Sequence, residues 1–153
     1  MKAVVATLVL LAGSFAGVDR TAESAAGDRF RPVAVYVDAG NAPLAAYQVD
    51  ITVGDAEPAA KIVGVEGGDV DVFRAAPYYD PAALQGGRIV IAAFTTDVDP
   101  PRGRIRVATL HFFEPAGCMP AYRARLVVAV AADGAAIHDI DASVTLAWGE
   151  PTA

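Results

Sequence analysis

Histidine and cysteine are the first side chains to consider for chemistry in this 153-residue chain, because both bind transition metals. His111 and His138 lie 27 positions apart, and Cys118 is the only cysteine. Zinc sites usually contain ligand pairs a few residues apart, since one strand or turn can then present both ligands. Neither histidine belongs to such a pair, so no zinc site is predicted. A single cysteine also excludes an internal disulfide.

Closely spaced aspartates raise the alternative of calcium. Asp97 and Asp99 lie in TTDVDPP, and Asp139 and Asp141 lie in HDIDA. Neither segment has the number of oxygen ligands or the glycine position of an EF-hand loop. Aspartate is also favoured in turns, because its side chain hydrogen-bonds to nearby backbone. We therefore predict no metal site and no cofactor; calcium is the one metal with candidate ligands.

Catalytic signatures are missing from the chain. The sequence contains no G-x-S-x-G elbow, no H-E-x-x-H pair and no phosphate-binding P-loop. Glycoside hydrolysis needs two carboxylates across a cleft, and nothing in the spacing pairs two acids in that way. No catalytic residue is predicted and the chain is not expected to be an enzyme. A less favoured alternative is that the chain is an enzyme fragment or an accessory subunit. That alternative would require two acidic side chains close together in a cleft.

Tyrosines supply the remaining candidate chemistry, since flat rings stack on sugar faces and the hydroxyl adds a polar edge. Tyr78 and Tyr79 lie in the APYYDPA loop, and Tyr36 lies in an alternating segment. Adjacent residues of an extended chain point in opposite directions, so only one of the loop tyrosines can face a ligand. These three residues define a carbohydrate-binding alternative. Trp148 ends the last predicted strand and is expected in the core.

The elements that must position these residues alternate with a period of two. Val33, Val35 and Val37 lie on one side of a predicted strand. A second strand places Tyr47, Val49, Ile51 and Val53 on the opposite side from three polar residues, Gln48, Asp50 and Thr52.

Further strands are predicted in KIVGVE, DVFR, GRIVIAAF, IRVATLHFF, YRARLVVAVA, AAIHDI and SVTLAW, with GRIVIAAF in the centre of a sheet. Because no amphipathic stretch of helical length separates them, the pattern predicts an all-β sandwich of eight to nine strands.

The amino terminus is typical of an export signal. MK precedes the apolar run AVVATLVLLAG, and Ser14-Phe15-Ala16 matches a small-x-small cleavage site. We predict a signal peptide at 1–16, a tail or linker at 17–29 and one domain at 30–150. The expected location is extracellular or periplasmic, with no membrane span, because the apolar run is shorter than a bilayer requires. The alternative is that residues 3–12 form a first buried strand.

Charge excludes one class of partner. The chain has 12 basic and 18 acidic residues, for a net charge of −6 at pH 7. Nucleic-acid binding needs a basic footprint, and the only basic run, PRGRIR, is expected to be a solvated turn and strand edge. No nucleic-acid partner is therefore predicted.

Several segments, taken in order, resemble bacterial cohesin domains. AAYQVDITVGDAEPAAKIVGVEGGD has an alternating strand, a break that contains Asp55 and Pro58, and an apolar strand that ends in glycines. GGRIVIAAFTTD and GRIRVATLHFF resemble the next cohesin strands. AGDRFRPVAVYVDAG resembles a strand near the family's start, and ADGAAIHDIDASVTLAWG resembles its closing strands. The resemblance covers residues 26–149. In this chain the family's Asp-Pro dipeptide is separated into Asp55 and Pro58.

The resemblance implies a cohesin-like, nine-stranded β-sandwich with jelly-roll topology. Cohesins bind dockerin modules and assemble polysaccharide-degrading complexes, so the implied function is an exported binding or assembly module. Its implied partner is a dockerin-like module, or a polysaccharide under the carbohydrate alternative. The protein-binding surface is expected on one sheet face, and its predicted residues are Gln48, Asp50, Thr52, Arg88, Arg123 and Arg125.

Overall fold

The computed structural model describes residues 27–55, 57–138 and 143–147, which form seven strands and two short 3₁₀ helices. The strands are β1 (Arg29–Asp38), β2 (Leu44–Val53), β3 (Lys61–Gly67), β4 (Arg88–Phe94), β5 (Arg104–Glu114), β6 (Tyr122–Ala131) and β7 (Ser143–Ala147). The 3₁₀ helices are Asp71–Phe73 and Pro81–Ala83. The predicted signal peptide, most of the predicted tail and Trp148 lie outside the described residues.

Two antiparallel sheets confirm the prediction of an all-β sandwich. One sheet has the strand order β3-β5-β1-β7, and the other has the order β4-β2-β6. Every connection between consecutive strands crosses from one sheet to the other, so no two consecutive strands are neighbours. The pairs are nested, because β1 pairs with β7, β2 with β6 and β3 with β5. The innermost pair of this nested set is an isolated bridge between Tyr78, in the loop before β4, and Ala92 of β4.

Alternating apolar residues form the core between the sheets. Val33, Val35 and Val37 are fully buried on the inner face of β1, as their spacing predicts. Tyr47, Val49 and Ile51 are the inner residues of β2, and the hydroxyl of Tyr47 donates a hydrogen bond to the carbonyl of Val107. Burial of this apolar surface is the main force that holds the two sheets together.

The strand prediction was wrong for DVFR. Asp71–Phe73 is a 3₁₀ helix, in which Phe73 is buried against the ring of Tyr47. The paired glycines before it let the backbone approach neighbouring carbonyl groups closely, so the chain turns in over the core. In AAIHDI the described residues form only one bridge, between Ala136 and Val130. The described chain therefore has seven strands, fewer than the eight to nine predicted.

The position of β4 also differs from the prediction. GRIVIAAF was expected in the centre of a sheet because it is apolar on both faces, but β4 is an edge strand. The loop segment at Tyr78 covers part of this edge through two backbone hydrogen bonds with Ala92. Protection of the edge by a loop explains how a two-sided apolar strand can lie there. Within the described residues, no helix is long and apolar enough to cross a membrane.

Candidate binding face

All six predicted protein-binding residues lie on the outer face of the three-stranded sheet. Gln48, Asp50 and Thr52 alternate with the buried residues of β2, so they point away from the core. Thr52 pairs with Arg88 of β4 on one side and with Arg123 of β6 on the other. Asp50 pairs with Arg125 in the next row. We call this outer surface of β4, β2 and β6 the candidate binding face.

Asp50 organises the charged half of the face. Arg88 donates from Nε and Nη2 to the two carboxylate oxygens of Asp50, each at 3.0 Å. Arg125 donates from the other side to Oδ2 at 3.2 Å. The hydrogen bond from Arg88, followed by that from Arg125, lowers the pKa of Asp50 and outweighs the opposite effect of burial. The carboxylate is therefore ionised at neutral pH and holds both guanidinium groups in place.

This half of the face is positive although the chain as a whole is negative. Asp50 is only 9% exposed, whereas the side chains of Arg88 and Arg125 are mostly exposed. Arg123 is exposed beside them. Three guanidinium groups and one carboxylate leave a local excess of positive charge on a chain of net charge −6. Such a surface favours an acidic group on a binding partner.

The other half of the face is apolar. Tyr78 and Phe94 are 72% and 63% exposed, and their rings are nearly parallel, with centroids 6.4 Å apart and 12° between planes. Val127 and Val128 of β6 are also exposed. A β-bulge lies at this point, because the β2–β6 register shifts between Gln48 and Val49. Tyr78, Ala92, Gln48 and Val128 follow one another in a row across the sheet. Phe94 lies one row further along, opposite Ala46, and stacks on Tyr78.

Phe94 and the two valines were missed by the sequence analysis. Phe94 ends GRIVIAAF, a strand that was expected to be covered on both faces, so its exposure could not be read from composition. The alternation of β4 did contain a signal. Arg88 and Phe94 are separated by an even number of positions and so lie on the same face of the strand, and an unpaired arginine is too polar to be buried. That parity places both residues on the outer side of the sheet.

The three tyrosines of the carbohydrate alternative are not brought together. Tyr78 is exposed, whereas Tyr79 packs against the core, in keeping with the opposite directions of adjacent residues. Tyr36 lies on β1 of the other sheet, where the guanidinium of Arg104 sits 3.7 Å from its ring centroid. The predicted set therefore forms no common sugar platform; the aromatic neighbour of Tyr78 is Phe94.

The candidate metal ligands are used in turns where the structure describes them. The backbone N–H of Asp99 donates to Asp97 Oδ1, and that of Asp97 donates to the hydroxyl of Thr95, each at 3.0 Å. Asp139 and Asp141 lie outside the described residues. Within 27–55, 57–138 and 143–147, no three histidine, cysteine or acidic residues group in a way that could hold a metal ion. Cys118 is a buried free thiol.

Comparisons with protein-family models, with curated proteins and with solved structures found no match to this chain. A functional assignment therefore rests on the architecture of the sandwich and the chemistry of the candidate binding face. Guanidinium groups, a paired carboxylate and exposed aromatic rings can recognise a ligand by charge and by apolar contact.

Proposed function

We propose that this chain is an exported, non-catalytic binding and assembly module of cohesin-like architecture. Its recognition surface is the candidate binding face, and its partner is a protein module of the dockerin type in a polysaccharide-degrading or cell-surface assembly. The observation that carries the proposal is the composition of that face: an exposed apolar half formed by Tyr78, Phe94, Val127 and Val128 lies beside an exposed arginine half.

The strand pairing supports a jelly-roll sandwich. A jelly roll arises when a long antiparallel hairpin rolls up, so that its pairs are nested and successive strands alternate between two sheets. The pairs β1–β7, β2–β6 and β3–β5 are nested in this way, with the bridge from Tyr78 to β4 innermost. Nested pairing of this kind supports the topology that the resemblance to cohesins implies.

The apolar half would supply most of the binding energy. Aromatic side chains near the centre of an interface are frequent binding hot spots, because they bury a large apolar area with little loss of conformational freedom. Tyr78 and Phe94 already stack on each other, so their rings are held in place before a partner arrives. A partner that covers both rings would remove them from water without having to order them first.

The arginine half would supply orientation and specificity. The bidentate pair between Arg88 and Asp50, with Arg125 on the other oxygen, holds two guanidinium groups at defined positions. Donors that are not used by Asp50 can bind carboxylates of a partner, since a guanidinium presents five N–H groups. We therefore expect a partner with an acidic patch beside an apolar one, and an association rate that falls as salt is added.

Calorimetry and pull-down with a panel of dockerin modules from the same organism test this proposal. Phe94→Ala is expected to weaken binding at least tenfold, because it removes one of the two exposed aromatic rings of the apolar half. Phe30→Ala is its matched control, since Phe30 is 72% exposed but lies on the four-stranded sheet. Arg125→Gln, with the exposed Arg74→Gln as control, tests the charged half in the same way. Absence of binding across the panel would refute the dockerin version.

A carbohydrate ligand is the second candidate, favoured by the nearly parallel rings of Tyr78 and Phe94. Exposed planar rings on a sheet face can stack on successive sugar rings. Affinity electrophoresis in gels that contain cellulose, chitin or xylan tests this candidate. Retardation that disappears in Tyr78→Ala and persists in Tyr36→Ala would favour it, and unretarded migration in all three gels would eliminate it.

A further inference from the structure

A second cluster of charged groups lies away from the candidate binding face, at the end of β5. Glu114 is the last residue of that strand and is 1% exposed. Its carboxylate accepts hydrogen bonds from Arg29 and Arg31, which lie near the start of β1, and from the hydroxyl of Tyr122 at the start of β6. The cluster therefore joins strands of both sheets.

Glu114 is ionised at neutral pH in spite of its position. Burial alone would raise the pKa of Glu114, but the hydrogen bonds from Arg31, Tyr122 and Arg29 outweigh burial and hold the pKa below its ordinary value. A buried carboxylate that is kept charged needs at least one cationic partner. One arginine together with the tyrosine hydroxyl would meet that need, so a second arginine is in excess.

The two arginines have hydrogen-bonding capacity that Glu114 does not use. Each guanidinium carries five N–H donors, and each of these two contributes only Nε–H to Glu114. Among the described residues, no other hydrogen-bond acceptor contacts Arg29 or Arg31. Within the part of the chain that the structure describes, the ion pairs also set two guanidinium groups against one carboxylate, which leaves one positive charge unpaired. The cluster is thus short of one negative charge and rich in free donors.

A cleft opens at this cluster. Its volume is about 190 Å³, and it is lined by Arg29, Arg31, Glu114, Pro120 and Tyr122. The volume per molecule in liquid water is about 30 Å³, so the cleft has room for a carboxylate, sulfate or phosphate group together with some of its water. The side chains of Arg29 and Arg31 are 45% and 27% exposed, so an anion from solvent can reach them.

We propose that the cleft between Arg29 and Arg31 binds an oxyanion, a carboxylate, sulfate or phosphate group that is free or carried on a larger ligand. The free Nη–H donors of the two arginines hold its oxygens, and the anion balances the second positive charge. Glu114 holds the two guanidinium groups close together and, because it is negative, also limits the affinity. This site lies on a different part of the sandwich from the candidate binding face and does not depend on the proposed function.

Titration of the purified protein with inorganic phosphate tests the site, followed by NMR of the arginine Nε–H signals. Sulfate and acetate are parallel arms, and sodium chloride keeps the ionic strength constant. We expect saturable shifts of the Arg29 and Arg31 signals with at least one oxyanion. Arg31→Gln should weaken that binding at least tenfold, whereas Arg74→Gln, which removes an exposed arginine elsewhere, should leave it unchanged.

Glu114→Gln keeps the proposal testable if Arg31→Gln unfolds. This substitution preserves shape but removes the competing negative charge, so it should tighten oxyanion binding at least threefold. Dextran sulfate and inorganic sulfate are then compared as competitors, at equal concentrations of sulfate groups. Stronger competition by dextran sulfate would identify a group carried on a polymer as the ligand, and equal competition would identify a free ion. The proposal is overturned if no oxyanion gives saturable shifts in either the natural protein or Glu114→Gln. It is also overturned if Arg31→Gln, while folded, binds as tightly as the natural protein.

Discussion

Replacement of Gly68 by alanine should destabilise the protein more than any surface change, because the backbone around it leaves no room for a Cβ atom. A Cβ at Gly68 would lie 2.0 Å from the carbonyl oxygen of Arg106. Its neighbour Gly67 is similarly confined, with the carbonyl oxygen of Arg74 at 2.0 Å. The obstacles are backbone atoms on neighbouring segments, so no side-chain rotation can relieve the overlap.

The expected magnitude follows from the hydrogen bonds that would have to move. The N–H of Gly68 donates to the carbonyl of Phe73 at 2.7 Å, and the N–H of Asp69 donates to that of Arg106 at 3.2 Å. Loss of two such bonds costs about 2 kcal/mol, and overpacking adds about 1–3 kcal/mol. The lower entropy of unfolded alanine offsets about 0.4–1 kcal/mol. We expect a net loss of about 3 kcal/mol.

Urea denaturation followed by far-ultraviolet circular dichroism measures this loss. With a slope of about 2 kcal/mol per molar urea, the midpoint should fall by about 1.5 M. Gly64→Ala is the matched control on the adjoining strand, because a Cβ there would meet His111 at an ordinary contact distance of 3.5 Å. The reasoning is refuted if Gly68→Ala unfolds within about 0.5 kcal/mol of Gly64→Ala, a difference that surface changes commonly give.

Three further outcomes are expected. The free energy of unfolding should be level above about pH 5 and decline below about pH 4, because the pKa values of Asp50 and Glu114 are lowered in the folded state and both groups stabilise the fold only while ionised. Urea denaturation at a series of pH values should show a smaller decline in the double variant Asp50→Asn/Glu114→Gln. An equal decline in the variant and the natural protein would argue against this origin. Phe112→Ala should cost about 3–5 kcal/mol in the same denaturation assay, because Phe112 is fully buried against the ring of Tyr122; a loss below about 1 kcal/mol would contradict that packing. Cys118 should react with a thiol reagent at least tenfold more slowly in the native protein than in urea, since burial raises the pKa of its thiol; equal rates would show that the thiol is accessible.

The sequence predicted which residues lie on each face of a strand better than it predicted which strands lie side by side. The six polar residues assigned to a protein-binding surface do share one face, because Gln48, Asp50 and Thr52 have the same parity and the arginines belong to paired strands. Their ion pairs could not be predicted. Asp50 and Arg125 are 75 positions apart, and local spacing carries no information about which strand lies beside which.

The apolar half of the face shows the same limit. Phe94 is exposed because it lies on the outer face of the three-stranded sheet, where its ring meets only the loop residue Tyr78 among the described aromatic rings. The composition of GRIVIAAF indicates burial on both sides, and only the tertiary structure reveals that one side is open. The cluster around Glu114 was equally hidden, since its two arginine donors lie 85 and 83 positions away along the chain.

The sequence by itself determined the class of fold and the side of each strand that faces the core. Both depend on the two-residue period of an extended chain and on the removal of apolar side chains from water, which are local properties of the residues. Only the tertiary structure decided which strands pair, which strand lies at an edge and which charges meet. Those features depend on hydrogen bonds between distant segments, such as Arg29 and Glu114, which are 85 positions apart. The candidate binding face and the oxyanion cleft are both consequences of those long-range pairings.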